Sequence, residues 1–338
     1  MIVKKLKKFL LDDLAEPLFF KNTSAIVKNT KFKKKYYIIN RTPGSGMFSN
    51  VTYVLNHIIY AKKKGLVPVV DMENFTTIYN EKKIIKNTFN AWEYYFEPVS
   101  KISLTKIYKS CEYILSSGDL IKKFKNSITI DKNLIKEFRK IKFKKYILHE
   151  ANLFKKKKFN SKDKIIGLHL RSTSYKKAKN HSLVMSLKIM REEIDRVIKK
   201  DSYNKIFCVT EDMKYYNYLK KIYKKKIIFF PSFRSYKNDA FKIYPRKLHR
   251  YQLGREIVIE TILLSKCDGI LYSGSNVATA ASLLAKPGVK LYEINLGFNS
   301  SNKYIARWLW YIKNLLPKNF GGLMVKNRFE KNTNLYNY

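Results

Sequence analysis

His169 and Arg171 stand at the carboxyl end of a predicted buried strand, in the segment IIGLHLRSTSYKKAKNH from Ile165 to His181. Side chains two residues apart on a strand point to the same face. An arginine fork binds a diphosphate with two parallel hydrogen bonds and keeps its charge. Such a cation suits a reaction that expels a nucleoside diphosphate, because negative charge grows on the leaving oxygen. A strand end with a solvated arginine would look the same.

Two further segments could contact the same anion. The loop PGSGMFSN precedes a predicted helix, and SGSN stands between a predicted strand and the next helix. Glycines let the backbone approach a ligand, and the first N–H groups of a helix attract anions. A plain tight turn would use the same glycines. The candidate ligand-contacting residues are Gly44, Ser45, Gly46, Asn50, Ser273, Ser275 and Asn276.

Three carboxylates occupy positions that need an explanation. Glu260 lies within a predicted helix that is apolar on nearly all sides, and a buried carboxylate must be paired or used. It could accept from N1–H and the 2-amino group of guanine, or form a salt bridge to Arg255 or Arg250. Glu211 and Asp212 follow a predicted strand in CVTEDM, which suits either catalysis or a helix N-cap with an acidic first turn.

The spacing of apolar residues predicts an α/β chain. A strand at 36–40, a helix at 48–64 and a strand at 66–72 form a first strand–helix–strand unit. A second alternation predicts strands at 165–171, 205–211, 226–230, 269–273 and 290–295, and helices at 183–200, 213–223, 253–266, 277–285 and 303–315. These spacings predict crossover units and parallel sheets. Two Rossmann-like domains with parallel sheets facing a central cleft fit the GT-B architecture of glycosyltransferases.

We divide the chain into four parts. Residues 1–35 form a basic amphipathic segment that could lie on an anionic membrane or pack on the protein itself. Residues 36–160 form an N-terminal Rossmann-like domain on the acceptor side, with a lysine-rich linker at 155–164. Residues 161–300 form a C-terminal Rossmann-like domain that binds a nucleotide sugar, and residues 301–338 add a helix and a tail.

Composition narrows the class of protein and its compartment. Hydrophobic residues make up 45% of the 338 residues, enough for a full core, and no apolar run is as long as a membrane span. The N-terminus starts with lysines but lacks an unbroken apolar region and a small-residue cleavage site, so we do not expect a secretion signal. Cys111, Cys208 and Cys267 are far apart, so neither a disulfide scaffold nor a cysteine-ligated metal is expected. These features predict a cytoplasmic protein, with peripheral contact to the inner membrane left open.

The formal net charge of +43 at pH 7 suggests an anionic partner. A nucleic acid, an anionic lipid surface or an acidic glycan would fit. The lysines are scattered over the whole chain, however, whereas a nucleic-acid footprint concentrates them in a stripe or module. Their excess, with many Asn, Ile and Tyr, also matches what AT-rich coding sequence produces. We therefore expect no nucleic-acid partner.

The motifs IGLHLRSTS, FCVTED and GREIVIETILLSKCDGILYSGSNVA occur in the order and spacing of the GT23-type fucosyltransferases. That family includes core and nodulation-factor fucosyltransferases, and the resemblance extends over residues 38–295. It implies a metal-independent, inverting GT-B enzyme that uses GDP-fucose. By this resemblance Arg171 would bind the β-phosphate, while His169 and Glu260 would contact the guanine. The residues that would close over the diphosphate are Ser275, Asn276 and the loop at Gly44–Gly46.

The chain departs from the family's pattern where the general base is expected. After Arg171 the run is Ser-Thr-Ser, which lacks the family's second arginine and aspartate, and YKKAKN lacks its catalytic glutamate. His181 is the best local replacement because a neutral imidazole can take a hydroxyl proton at physiological pH, although it could instead only orient the loop. Glu211 and Asp212, which match an acidic pair in the family, are the alternative bases.

The sequence therefore predicts a glycosyltransferase that moves fucose or a related 6-deoxyhexose or heptose from a GDP-sugar donor. The expected acceptor is a hydroxyl of a surface polysaccharide or glycolipid, of the bacterial capsule or lipopolysaccharide type. No cofactor and no metal are expected beyond the donor. The missing acids leave a second interpretation open, in which a catalytically inactive GT-B protein binds glycans or nucleotides. A polyanion-binding protein is a third.

Overall fold

Two sheets with helices packed on them make up the computed structural model of this chain. It describes residues 26–27, 35–110, 112–116, 132–237 and 239–336. The predicted amphipathic segment at 1–35 thus lies almost entirely outside the described residues. Within the described ranges, none of the helices is both long and apolar enough to cross a membrane.

The N-terminal unit is built on a four-stranded sheet. Its elements are β1 (Ile26–Val27), β2 (Tyr36–Ile39), α1 (Met47–Lys63), β3 (Val67–Val70), α2 (Leu104–Ser110), β4 (Tyr113–Leu115), α3 (Lys132–Phe138) and α4 (Lys145–Lys158). The strand order is β1-β4-β2-β3, in which β2 is parallel to β3 and β4, and β1 is antiparallel to β4. The apolar strands β2 and β3 are largely buried, and α1 packs its apolar face against them.

The C-terminal unit is built on a six-stranded sheet. Its strands are β5 (Ile165–Leu170), β6 (Lys205–Thr210), β7 (Ile227–Ile228), β8 (Gly269–Tyr272), β9 (Lys290–Asn295) and β10 (Asn327–Asn332). Its helices are α5 (Leu187–Asp201), α6 (Met213–Tyr223), α7 (His249–Leu264), α8 (Asn276–Leu284) and α9 (Lys303–Leu315). The order is β10-β9-β8-β5-β6-β7, with β10 antiparallel to β9 and the other pairs parallel. Every residue of the central strand β5 is buried, as a strand covered on both faces requires.

This strand order creates a crevice between β5 and β8. After β5 the chain continues to β6 and β7 on one side, whereas after β8 it continues to β9 on the other side. The connections that leave the carboxyl ends of these two neighbours therefore diverge. Ligands of open parallel sheets bind at such a point. The segments that border it begin at Arg171 and Ser273.

One hydrophobic cluster joins the two units. The Tyr95 ring stacks on the Tyr251 ring of α7 with centroids 5.8 Å apart, and Tyr95 Oη donates to Tyr251 O over 3.0 Å. Three residues further along α7, a Cβ added to Gly254 would lie 2.2 Å from Tyr95 Oη. The Tyr251 N–H donates to Glu81 Oε1 over 3.0 Å. The absence of a side chain at Gly254 thus lets α7 approach the aromatic segment of the N-terminal unit.

Most predicted strands and helices are confirmed within a few residues. Three details differ. The segment expected as a linker at 155–164 begins as the last turn of α4, which packs on α7. Helix α5 begins at Leu187, later than predicted, because Ser186 caps it by accepting from the Ile189 N–H. The tail contains β10, which completes the second sheet. The domain boundaries at 160 and 300 stay a prediction.

Candidate active site

A cavity of about 470 Å³ opens at the crevice between β5 and β8. Both units contribute to its wall, through the start of α1, the segments after β5, β6 and β7, α7 and the start of α8. Its volume falls in the range of ligand pockets, about 300–1,000 Å³. The predicted site residues that line it are Ser45, Gly46, His169, Arg171, His181, Glu211, Glu260, Ser275 and Asn276.

Four predicted site residues do not belong to the cavity wall. Gly44 adopts a φ of +76°, and beside it Asn50 Oδ1 accepts from the Ser45 N–H over 2.9 Å, so both shape the loop. Asp212 is 2% exposed and caps α6 by accepting from the N–H two residues on, at 2.7 Å. Ser273 is buried in the turn after β8. These residues support the wall, and the N-cap alternative is confirmed for Asp212.

His169 contributes an uncharged imidazole to the cavity wall. It is 1% exposed, near the end of β5. Burial, with a smaller contribution from the Arg171 charge, lowers the pKa of His169 to about 3, so the ring is neutral at physiological pH. In the described part of the chain, its Nδ1 has no hydrogen-bond partner. A buried ring nitrogen without a partner beside a cavity is suited to a ligand.

Arg171 is held beside the cavity by Glu211. Glu211 Oε1 lies 3.9 Å from Arg171 Nε and accepts from the Ser172 N–H at 3.0 Å and from Thr173 Oγ1 at 3.2 Å. One carboxylate oxygen thus contacts three consecutive residues. Arg171 Nε makes no hydrogen bond to any described residue, and the side chain is 25% exposed. The Arg171 Nε–H is therefore unused by the described residues, and Glu211 fixes the turn that follows Arg171.

Two helix N-termini border the cavity, one from each unit. Helix α1 begins after Gly46, which offers no side-chain cap. Helix α8 begins at Asn276, and Ser275 Oγ accepts from the Val277 N–H over 3.2 Å. Helix N-termini carry partial positive charge and free N–H groups that attract phosphate. Together with Arg171, they give this space three sources of positive potential.

One of the two alternatives for Glu260, a salt bridge to Arg255 or Arg250, is wrong. Arg255 pairs with Glu150 instead, whereas Glu260 Oε1 lies 3.6 Å from Arg234 Nη2. The reason is helical geometry, because a separation of five residues turns Arg255 about 140° away from Glu260 around the helix axis. Glu260 therefore faces the segment after β7 and the cavity.

Glu260 is a nearly buried carboxyl group with a raised pKa. Ser232 Oγ donates to its Oε1 over 2.5 Å. Burial raises the pKa of Glu260 to about 8, which outweighs the opposing effect of Arg234. The two amino groups of Arg234 already donate to the carbonyls of Phe230 and Ser232, so its charge is shared. With this raised pKa, the Glu260 carboxyl is largely protonated at neutral pH.

His181 is exposed at the cavity and lies against Tyr175. The two rings meet edge-on with centroids 4.9 Å apart. His181 Nδ1 lies 2.8 Å from the carbonyl oxygen of Lys179, and since that oxygen only accepts, Nδ1 carries the proton. In the neutral form of this ring, Nε2 holds the lone pair. A general base needs such an atom.

The sequence interpretation missed Tyr175, Ser232 and Arg234. The Arg234 side chain is 6% exposed and its guanidinium carbon lies 4.8 Å from the centroid of the Tyr216 ring. No known motif marks the segment PSFRSYK. One signal was present, however, because Arg234 comes shortly after the predicted strand at 226–230, and Arg171 is likewise at the carboxyl end of a predicted strand. The residues after β7 therefore belong to the same edge of the sheet.

Comparison with known proteins bears on the fold. No protein-family model matches the chain. No curated protein matches its sequence. Among solved structures, a NodZ alpha-1,6-fucosyltransferase co-crystallised with GDP is similar to it, with a TM-score of 0.52 at 16% identity, covering 78% of this chain and 96% of that chain.

The same fucosyltransferase soaked with GDP-fucose gives a TM-score of 0.51 with 16% identity and equal coverage. The fucosyltransferase NodZ from Bradyrhizobium gives 0.52, with 16% identity over 77% of this chain and 95% of that chain. The fold is GT-B. The predicted fold class is thereby confirmed.

Proposed function

We propose that this chain is a glycosyltransferase of the GT23-like type. It moves fucose or a related 6-deoxyhexose or heptose from a GDP-sugar to a hydroxyl of a polysaccharide or glycolipid acceptor. The observation that carries the proposal is the position of Arg171. Its guanidinium lies at the divergence of β5 and β8, with donors unused among the described residues and two helix N-termini around it.

A diphosphate is the ligand that this arrangement suits. Arg171 binds the β-phosphate, and the N–H groups at the starts of α1 and α8 bind the remaining oxygens. Negative charge grows on the β-phosphate as the sugar leaves, so Arg171 stabilises the transition state more than the ground state. Two similar solved structures, one co-crystallised with GDP and the other soaked with GDP-fucose, support the same donor.

Guanine fits the inner part of the cavity. Glu260, once ionised, accepts from N1–H and the 2-amino group, and His169 offers an unpaired ring nitrogen. A site built to hydrogen-bond a base in this way discriminates strongly against bases that lack those donors, because its buried polar groups would remain unpaired. This pairing supports a guanine nucleotide over other nucleotides.

The proposed reaction is a single displacement with inversion. The acceptor hydroxyl oxygen attacks the anomeric carbon, the bond from that carbon to the diphosphate oxygen breaks, and its electron pair leaves with GDP. His181 Nε2 takes the hydroxyl proton. Glu211 is less suited to that role because one of its oxygens already accepts from Ser172 and Thr173. No step of this scheme uses a metal.

The net charge of the chain, rather than the cavity, supports our proposal for the acceptor and the location. A chain with a net charge of +43 is attracted to acidic glycans and anionic lipid, so we propose a surface polysaccharide or glycolipid made at the cytoplasmic side of a membrane. The lack of an acid in the segment YKKAKN favours a second candidate, a GT-B protein that binds nucleotide or glycan without turnover.

Thermal unfolding with GDP, UDP, CDP, ADP or no nucleotide tests the donor. A ligand at about 100 times its Kd stabilises a protein by roughly 2.7 kcal/mol, which shifts Tm measurably. We expect a shift with GDP that disappears in Arg171→Ala. A shift with UDP or CDP alone would contradict the guanine assignment, and no shift with any nucleotide would contradict the proposed function.

Release of GDP from GDP-fucose distinguishes the enzyme from the inactive binding protein. Slow hydrolysis of the donor by water is expected even without the natural acceptor. A GDP-induced Tm shift without any release of GDP, from GDP-fucose or other GDP-sugars and with glycan acceptors added, would favour the inactive protein.

A further inference from the structure

Helix α9 presents an apolar stripe to solvent. Tyr304, Ile305, Trp308, Ile312 and Leu315 are each more than half exposed. On an α-helix these positions fall within an arc of about 100°. We call this stripe the outer face of α9. A helix on the surface of a soluble domain ordinarily turns such a stripe inward.

The opposite side of α9 packs on the body of the protein, so the helix cannot turn its outer face inward without exposing that side. Within the described part of the chain, the outer face stays exposed. Ala306 and Trp310 are buried, and Trp310 Nε1 donates to Val184 O over 2.8 Å. Exposed apolar residues continue beyond the helix at Leu316 and Phe320. Contiguous apolar surface of this kind marks an interaction site.

Only positive charge accompanies the outer face along the sequence. From residue 294 to residue 329 the chain contains no Asp or Glu, and its basic residues there are Lys303, Arg307, Lys313, Lys318, Lys326 and Arg328. Beside the helix, the wall of a second cavity of about 490 Å³ includes five lysines (Lys176, Lys188, Lys214, Lys313 and Lys318) and one carboxylate, Glu192. Arg328 pairs with Glu193 over 2.6 Å, so the excess of positive charge comes from the lysines. The surroundings of the outer face thus favour an anionic partner with an apolar interior.

We propose that the outer face of α9 lies on an anionic phospholipid bilayer. Aromatic and aliphatic side chains of such a helix enter the boundary between headgroups and acyl chains, while lysines and arginines contact anionic headgroups. A second copy of the chain is a poorer occupant. Two copies joined through this face would bring their basic residues together, which is unfavourable.

The same helix reaches the candidate active site. Its inner side packs on the turn Ser174–Lys177. Asn299, in the segment before α9, donates from Nδ2 to the Ala306 carbonyl oxygen within the helix over 2.9 Å. The turn carries Tyr175 in the cavity wall. A bilayer on the outer face therefore lies one helix away from the cavity. Membrane binding is independent of the proposed transfer reaction, because it can be measured without nucleotide.

Trp308 provides an internal reporter for the test. The chain has three tryptophans, of which Trp92 and Trp310 are buried and Trp308 is exposed. The full chain, without nucleotide, is mixed with phosphatidylglycerol–phosphatidylcholine vesicles at physiological ionic strength. We expect the protein to float with the vesicles and its tryptophan emission to shift to the blue. Trp308→Phe should still float but lose the emission shift.

A second pair of variants tests the apolar contribution. Trp308→Ser combined with Leu315→Ser should lower vesicle binding at least about tenfold, because two large side chains no longer enter the bilayer. Leu153→Ser is the matched control, since Leu153 is an exposed leucine on the lysine-rich helix α4, and its binding should equal that of the wild type. All variants should keep the wild-type Tm because the replaced side chains are exposed.

Three results would overturn the proposal. The first is an absence of binding to anionic vesicles. The second is binding without any change in Trp308 emission, which would assign the membrane contact to another basic segment such as residues 1–34. The third is a dimer in sedimentation velocity that the Trp308→Ser and Leu315→Ser replacements abolish, which would assign the face to a second copy.

Discussion

The guanidinium carbon of Arg171 lies 4.2 Å from the centroid of the Tyr175 ring. His181 meets the same ring edge-on. The ring therefore separates the proposed phosphate ligand from the proposed base. Replacement by phenylalanine keeps the ring, so Tyr175→Phe should retain GDP affinity. Tyr175→Ala should weaken it severalfold, because a cation–π contact contributes about 0.5–2 kcal/mol. Calorimetric titration with GDP measures both, and equal affinities would show that the ring does not orient Arg171.

Arg171→Ala should lower the rate of transfer by about 100- to 1,000-fold, the usual effect of removing one group that stabilises developing negative charge. The fold should be unaffected because the side chain is partly exposed and its ion pair with Glu211 is long. Arg191→Ala is the matched control, since Arg191 is an exposed arginine of the same unit that pairs with Asp195 on α5. The measurement is kcat for GDP release. Turnover near that of the control would remove Arg171 from the mechanism.

Glu260 should make stability depend on pH. Its pKa is raised from an ordinary 4.5 to about 8 in the folded chain, so the folded state holds a proton that the unfolded state releases. The stabilisation is complete below the lower value and is lost as pH rises through the upper one. Between them the free energy of unfolding should fall by at most about 1.4 kcal/mol per pH unit from this group. Urea denaturation of wild type and Glu260→Gln over this range tests it, and the variant should show a shallower dependence.

GDP affinity should change with pH in the opposite direction to the stability of the free protein. Guanine requires the ionised carboxylate as acceptor, so binding releases the proton from Glu260. GDP affinity should therefore rise by up to about tenfold per pH unit as pH increases toward 8 and level off above it. The groups that bear on this titration are Arg234, Glu256 and Glu211. ADP serves as the control ligand, and an equal pH dependence for both nucleotides would separate Glu260 from base recognition.

Variants of His181 and Glu211 should differ in their effects, because we propose that His181 is catalytic and that Glu211 positions Arg171. His181→Ala removes the free Nε2, so kcat should fall about 100-fold or more while GDP affinity stays constant. Glu211→Gln loosens the turn that bears Arg171, so GDP affinity should fall as well. Steady-state kinetics with nucleotide titration distinguishes the two patterns. If Glu211→Gln lost kcat with unchanged GDP affinity, and His181→Ala kept the wild-type kcat, then Glu211 would be the base and His181 would not.

Gly254→Ala should destabilise the protein even though alanine is the better helix former by about 1 kcal/mol. The new Cβ would lie 2.2 Å from Tyr95 Oη and 2.4 Å from its Cζ. Overpacking of this kind costs about 1–3 kcal/mol. Urea denaturation measures the change, and an increase in stability would show that α7 and Tyr95 can move apart without cost.

The sequence predicted the elements that bury apolar residues. Helices α6 and α9 were predicted with their observed bounds, and β5 was recognised as a buried strand. Strand β10 was missed because all six of its residues, NRFEKN, are exposed and carry no apolar alternation. Its pairing with β9 depends on main-chain hydrogen bonds, which periodicity does not reveal.

The sequence predicted the site residues that lie at the carboxyl ends of strands. His169 and Arg171 point out from β5, and strand alternation alone suggests that they share a face. The partner of Glu260 was not predictable, because Arg234 reaches it from a segment 26 residues earlier in the sequence. Which of two neighbouring acids lines the cavity also depends on geometry, and Asp212 is used as a helix cap.

The stacking of Tyr95 on Tyr251 has a consequence for how the protein melts. Two domains that meet only across a cleft can unfold one after the other, each with its own heat-absorption peak. Here side chains from both sheets belong to one hydrophobic cluster, so opening either sheet exposes apolar surface of the other. We therefore expect a single calorimetric transition for the whole chain, with a van't Hoff enthalpy equal to the calorimetric enthalpy.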